Sequence, residues 1–240
     1  MAQIFLEPPQ RPGALRSQPE DMATELQQFW NARLHDETVG VIILDEGEAK
    51  GFCAGLDMQR YGPRIFRMPA TAAYQAQVHL SRLLLAMRRV PQPILCCVHG
   101  AAAGLGFSMV MAADVRILAE DARFSTAYIN IGLGGADMAS SYFLPRLIGS
   151  GRANEFLLTG NWMSAAEAMS LGFASRLVPR DQLLETAQAI AAVMVSKDPL
   201  GLRMTKEAIN INLDAGGLEA CLQLEDRNQI MILLAKGRPG

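Results

Sequence analysis

One stretch, Pro93-Ile-Leu-Cys-Cys-Val-His-Gly-Ala-Ala-Ala-Gly-Leu-Gly-Phe-Ser-Met-Val-Met-Ala-Ala-Asp114, constrains the fold more than any other part of the chain. Ile94, Leu95 and Val98 make a continuous apolar run, the pattern of a strand covered on both faces. Gly100, Gly104 and Gly106 then let backbone pass where a side chain would block it. The residues after them predict a helix starting near Leu105. Such a helix leaves its first N–H groups unpaired, with the positive end of its dipole behind them. A negative oxygen is stabilised there.

Three competing readings fail on particular residues. Ile94 to Ala113 is long enough to suggest a membrane span. Its glycines and His99 interrupt the run, and a strand–turn–helix accounts for every interruption. Gly104 and Gly106 fall short of a dinucleotide fingerprint, because Met109 stands where the third glycine would be. Gly106-Phe-Ser-Met-Val110 comes near a hydrolase nucleophile elbow but lacks its second glycine. All three histidines, His35, His79 and His99, precede Ser108, whereas that fold places its histidine last.

A chain of 240 residues, half of them hydrophobic, is expected to form one domain whose core needs no disulfide or metal. Its net charge of −2 offers no basic footprint for nucleic acid. Cys96 and Cys97 are neighbours on the central strand and point to opposite faces, so they do not share a metal. With Cys53 and Cys221 they read as small hydrophobes in a reducing compartment. Met1 to Glu7 has no basic segment followed by an apolar core, so a cytoplasmic location is expected.

Ser17-Gln-Pro-Glu20 has the form of a capping box, followed by helical spacing of Met22, Leu26, Phe29 and Leu34. Val39 to Leu44 reads as a buried strand that ends in a second glycine-bearing turn, Gly51-Phe-Cys-Ala-Gly-Leu-Asp57. Tyr74 to Arg89 is helical and delivers the central strand, and Val115 to Leu118 is the next strand. Strand and helix alternate, which implies a mainly parallel sheet. Phe124 to Asp137 reads as a glycine-rich loop, with a helix beginning at Met138. Beyond it, Ser164 caps a short helix, Asp198-Pro199 opens another, and Leu218 to Leu234 is the last.

Two turns, each after a buried strand, thus offer backbone N–H groups at Leu56 and Leu105, and two converging donors make an oxyanion hole. Phe52-Cys-Ala-Gly-Leu-Asp57, followed by His99-Gly-Ala-Ala-Ala-Gly-Leu-Gly106 and Ala112-Ala-Asp114, resembles the crotonase (enoyl-CoA hydratase/isomerase) superfamily. Ile131-Gly-Leu133, Leu144-Pro-Arg-Leu-Ile-Gly149, Leu158-Thr-Gly160 and Ala165-Ala-Glu-Ala168 extend the resemblance over roughly residues 11–230. It implies an α/β fold, a crotonase-like ββα superhelix with a C-terminal helical trimerisation region. The core would span 1–180 and the helical region 181–240. The resemblance further implies an acyl-CoA substrate, a homotrimer or hexamer, and no membrane or nucleic-acid partner. No separate cofactor and no metal are implied, since coenzyme A is part of the substrate. The thioester carbonyl would lie between the amides of Leu56 and Leu105, and Ala54, Gly55, Leu56 and Asp57 would line the CoA.

The departures from that pattern matter as much. Where hydratases of the superfamily carry two glutamates, this chain matches with Ser108 and Tyr128, neither of which is a carboxylate base at neutral pH. Asp137 matches the position of the catalytic aspartate of dienoyl-CoA isomerases. Its small and apolar neighbours suggest a buried carboxylate, and capping of the following helix is the alternative role. The expected catalytic set is therefore Asp137 with Tyr128 and Ser108, and His99 is a second candidate base. The first hairpin strand is expected to be short or absent, and the last helix that helps to cover CoA is not matched. The expectation is an enoyl-CoA hydratase/isomerase-type enzyme. A non-catalytic acyl-CoA-binding homologue and an acyl-CoA thioester hydrolase are the alternatives.

Overall fold

The computed structural model describes residues 2–5, 19–47, 50–55, 58–65 and 67–237. The first half runs β1 (Ala2–Phe5), α1 (Pro19–Arg33), β2 (Ile42–Asp45), α2 (Met58–Ile65), α3 (Ala70–Arg89), β3 (Ile94–Val98), β4 (Ala101–Ala103) and α4 (Leu105–Ala112). Next come β5 (Val115–Ala119), β6 (Arg123–Ser125), α5 (Ser140–Ile148), α6 (Ser150–Thr159), β7 (Met163–Ser164), α7 (Ala165–Ser170) and β8 (Arg176–Val178). Helices α8 (Leu183–Val195), α9 (Pro199–Asn212) and α10 (Leu218–Ala235) follow. The first strand is short but present. Ser17 and Gln18 of the expected capping box lie outside the described residues.

The apolar runs form a five-stranded sheet in the order β1-β2-β3-β5-β8, in which every neighbouring pair is parallel. Parallel strands need crossovers, which the helices between the strands supply, while α8, after the last strand, covers the other face. The period of two along β3 sorts its side chains between two cores. Ile94, Cys96 and Val98 join the larger core with α1, α3 and α4, while Leu95 and Cys97 meet Leu183, Ala187 and Ala191 of α8. Leu183 is therefore a core residue. Val193, Val195, Met231, Leu233 and Leu234 are exposed.

A second, three-stranded sheet, β4-β6-β7, forms where the chain turns after leaving the first. β4 pairs in parallel with β6, and an isolated bridge from Cys53 to Ala102 attaches the 51–55 turn to its edge. Strand, short strand and helix repeat as β3-β4-α4 and β5-β6-α5. Helix α4 is buried along nearly its whole length, and Phe107 packs against Phe124 and Phe173 with ring centroids 5.3 and 5.6 Å away. A helix apolar all round belongs inside.

The region expected to be one loop from Phe124 to Asp137 holds the end of β6 and a 3₁₀ turn at Tyr128–Ile131. The helix expected at Met138 begins at Ser140, because Met138 and Ala139 take left-handed conformations at φ 45° and 59° that no helix can incorporate. Two other helix starts follow their caps: Ser164 Oγ accepts from Glu167 N–H, and Asp198 Oδ1 accepts from Gly201 N–H.

Candidate active site

The two glycine-bearing turns are laced together by backbone hydrogen bonds. Phe52 N–H donates to His99 O at 3.0 Å, Cys53 N–H to Ala101 O at 3.1 Å, and Ala103 N–H to Cys53 O at 2.8 Å. The approach is so close that a Cβ on Gly106 would sit 2.2 Å from the Cys53 carbonyl oxygen. Glycine at 106 is therefore a packing requirement. Gly104 is the N-cap of α4, and Leu105 N–H, at its first position, donates to no acceptor among the described residues. Leu56 and Asp57, the other expected oxyanion donor and a CoA-lining residue, lie outside the described residues.

Both turns open onto one cavity of about 630 Å³. Cys53, Ala54 and Gly55 from one turn, and Gly104 and Leu105 from the other, form part of its wall. Met22, Ile65, Met68, Leu80, Leu133 and Met138 make much of the rest apolar. The volume and lining suit a small molecule with a long apolar part. Tyr128 and Asp137 are on the wall as well, so five of the expected site residues meet in one space: Ala54, Gly55, Leu105, Tyr128 and Asp137.

Asp137 is the only carboxylate among the described residues of the wall. Its Oδ1 accepts from Met138 N–H at 2.7 Å and from Gln77 Nε2 at 2.6 Å, while Oδ2 has no hydrogen-bond partner among the described residues. The enclosure expected around it is not found. Asp137 is half-buried because Leu133, Gly134 and Ala136 beside it are themselves exposed. It does not cap α5 by the usual bond either, since its carboxylate takes the N–H of the next residue and the N-cap is Ala139. A Cβ on Gly135 would lie 1.9 Å from Leu157 O, so the loop that carries Asp137 is pressed against α6.

Among the described residues, the non-glycine positions at positive φ are Ala127, Met138 and Ala139. Each adjoins Tyr128 or Asp137 or follows within two residues. Strained backbone of this kind costs on the order of 1–3 kcal/mol per residue and persists where its surroundings impose it. Burial pushes the Tyr128 phenol well above its ordinary range, so it is a neutral donor. Ser108 is not on the cavity wall. It is 1 % exposed, on the face of α4 turned toward the core, with its hydroxyl facing that of Tyr128 without an ordinary hydrogen bond.

His99 is elsewhere as well. Its Nε2 lies 2.6 Å from Glu46 Oε1 and 3.0 Å from Arg180 Nη2, and neither His99 nor Glu46 touches the cavity. Burial pushes the Glu46 carboxyl up to about 8, and burial with the nearby Arg180 charge holds His99 below its usual range. Burial thus favours the uncharged forms of both partners, a carboxylic acid hydrogen-bonded to an imidazole. His79, by contrast, does line the cavity, and its Nε2 is 3.1 Å from Thr24 Oγ1. Gln77 was missed from the sequence. No motif marks it, and its partner is 60 residues away.

The enoyl-CoA hydratase/isomerase family model matches residues 1–233. The chain belongs to the enoyl-CoA hydratase/isomerase family. A probable enoyl-CoA hydratase of Mycobacterium tuberculosis is 37 % identical over 237 residues, covering 98 % of this chain and 82 % of that one. The 1,2-epoxyphenylacetyl-CoA isomerase of Escherichia coli is 30 % identical over 215 residues, covering 90 % and 81 %. The crystal structure of an enoyl-CoA hydratase from Bacillus anthracis superposes with a TM-score of 0.84 at 30 % identity, covering 91 % and 82 % of the two chains. The enoyl-CoA hydratase/isomerase membership makes this an acyl-CoA enzyme on the crotonase fold, with a mixed α/β core, a parallel sheet and a helical C-terminal region. No helix among the described residues is long and apolar enough to cross a membrane.

Proposed function

We propose that this enzyme holds the thioester carbonyl of an acyl-CoA between the N–H groups of Leu56 and Leu105 and moves a proton along the acyl chain with Asp137. The observation that carries the reading is the shared cavity, with an unpaired helix-start N–H and a single described carboxylate on an otherwise largely apolar wall. Asp137 takes the α-proton, the C–H electron pair passes into the thioester as an enolate, and the oxygen charge rests on the two amides. Returning the proton at the γ-carbon completes a double-bond shift. One oxyanion-hole donor is worth roughly 10²–10³ in kcat.

Ser108 and Tyr128 stand at the positions matched to the glutamate pair, which disfavours standard hydration and favours proton transfer by one base. The isomerase among the relatives supports the same choice. Tyr128 donates a hydrogen bond toward the acyl end, Ser108 supports it from behind, and Ala54, Gly55, Leu56 and Asp57 run beside the CoA. No separate cofactor enters this chemistry. The exposed apolar residues of α8 and α10 fit a trimer or hexamer, which light scattering at micromolar concentration tests.

The deciding experiment incubates the protein with 3-octenoyl-CoA in D₂O and follows deuterium uptake by mass. Exchange that is lost in Asp137→Asn is the expected result. Binding without exchange would make the chain an acyl-CoA binder, and release of free CoA would make it a thioester hydrolase.

A further inference from the structure

We infer that Gln77 is a positioning residue for Asp137, fixing Oδ1 so that Oδ2 is the oxygen that moves the proton. The inference rests on the reading of Asp137 as the base. A carboxylate turns easily about its last bond, so its plane is not set by its own rotamer. Here two donors from different parts of the chain meet on the same oxygen. Met138 N–H comes from the strained 137–139 turn at 2.7 Å, and Gln77 Nε2 comes from α3 at 2.6 Å. The remaining oxygen is left without a partner among the described residues.

The surroundings explain why a side-chain amide is suited to this task. Gln77 is itself on the cavity wall, one helical turn from Ala73 and three residues from Leu80 on α3. In the open cavity water competes with its hydrogen bond. An apolar acyl group packed on α3 displaces that water, and a bond to a charged acceptor strengthens when water leaves. The amide is neutral, so it orients the carboxylate without neutralising it as an arginine or lysine would. The constraint matters most in the bound complex, where a displacement of about 1 Å can cost as much as 10²-fold in rate.

The test measures steady-state isomerisation of 3-octenoyl-CoA to 2-octenoyl-CoA, with deuterium exchange as a second readout, for Gln77→Ala, Gln77→Glu, Asp137→Asn and the Gln77→Ala/Asp137→Asn pair. Gln77 is exposed, so its variants are expected to fold. Gln77→Ala should lower kcat about tenfold with KM changed less than about twofold, the pattern of an interaction that acts in the transition state. Gln77→Glu should be at least as slow, because it sets a carboxylate against a carboxylate. In the Asp137→Asn background, Gln77→Ala should change nothing further, since its partner's function is already gone. Wild-type kcat in Gln77→Ala, beside a slow Asp137→Asn, overturns the inference and leaves the base in place. Equal losses in both backgrounds also overturn it. Full activity in Asp137→Asn, or no exchange by the wild type, removes the base reading and this inference with it.

Discussion

Two carboxylates in this molecule meet nitrogen donors, and their surroundings could hardly differ more. Asp137 is half-buried on the wall of an open cavity, held by Gln77 and Met138 with one oxygen left over. Glu46 is fully buried against His99 and Arg180, away from the cavity, with its pKa pushed up to about 8. A strongly perturbed carboxyl is a common mark of a functional site, yet Glu46 is not on the cavity wall. A base must reach a substrate before its pKa matters, and geometry therefore decides between them. The Glu46 cluster ties the end of β2 to His99 after β3, and through His99 to Arg180 before α8.

The sharpest way to break this contrast is to exchange the expected consequences. Asp137→Asn should lower kcat by about 10²-fold or more, with acyl-CoA affinity by calorimetry nearly unchanged. Glu46→Ala should do the reverse. Loss of a buried hydrogen-bonded group and the gap it leaves should cost about 2 kcal/mol of stability in denaturant unfolding. The folded fraction should keep its kcat. Activity lost through Glu46 with stability intact would mean that the contrast has been drawn the wrong way round.

A pH series sharpens it further. The folded chain keeps the Glu46 proton up to about 8, whereas the unfolded chain releases it near the model value of 4.5. Raising the pH across that window therefore favours unfolding, and the effect is complete once the folded carboxyl has ionised. His99 acts in the opposite sense below 6.5, because its folded value is lowered and the unfolded state there binds more protons. Above 6.5 the Glu46 trend stands alone of the two, so unfolding midpoints should fall between pH 6.5 and 8.5. Asp45, also raised by burial, has the same sign of effect from its ordinary value of 3.8 upward. Glu46→Gln, which cannot ionise, should flatten most of that slope.

How much of this was legible in the sequence depends on how local the cause is. The β3 run and the N-caps at Ser164 and Asp198 are set by neighbouring residues, and each could be read directly. The helix start at Leu105 was legible for the same reason. Asp137 could be singled out only through the resemblance, and its turn could not, because left-handed Met138 and Ala139 are imposed by the fold against their own preference. The Gln77–Asp137 and Glu46–His99–Arg180 contacts join segments far apart in the chain, and no short motif encodes either. His99 looked available because it precedes a turn, but the fold closes the end of β3 over it.

Ser108 offers the smallest expected effect, and it tests whether the cavity wall has been drawn correctly. Its place in the superfamily pattern suggests a residue that faces the reacting atoms. Its hydroxyl, however, is buried beneath the wall, with no hydrogen-bond partner among the described residues and only the Tyr128 phenol facing it. Burying an unpaired hydroxyl is unfavourable, and alanine is the better helix former inside α4. Ser108→Ala should therefore leave stability unchanged or raise it by up to about 1 kcal/mol. The kcat should fall less than about threefold, far from the loss expected of an acid–base group. Tyr128→Phe, which removes a group on the wall itself, should cost more than Ser108→Ala and less than Asp137→Asn. A hundredfold loss in Ser108→Ala with unchanged unfolding would place its hydroxyl at the substrate, and the division between the cavity wall and the core behind it would have to be redrawn.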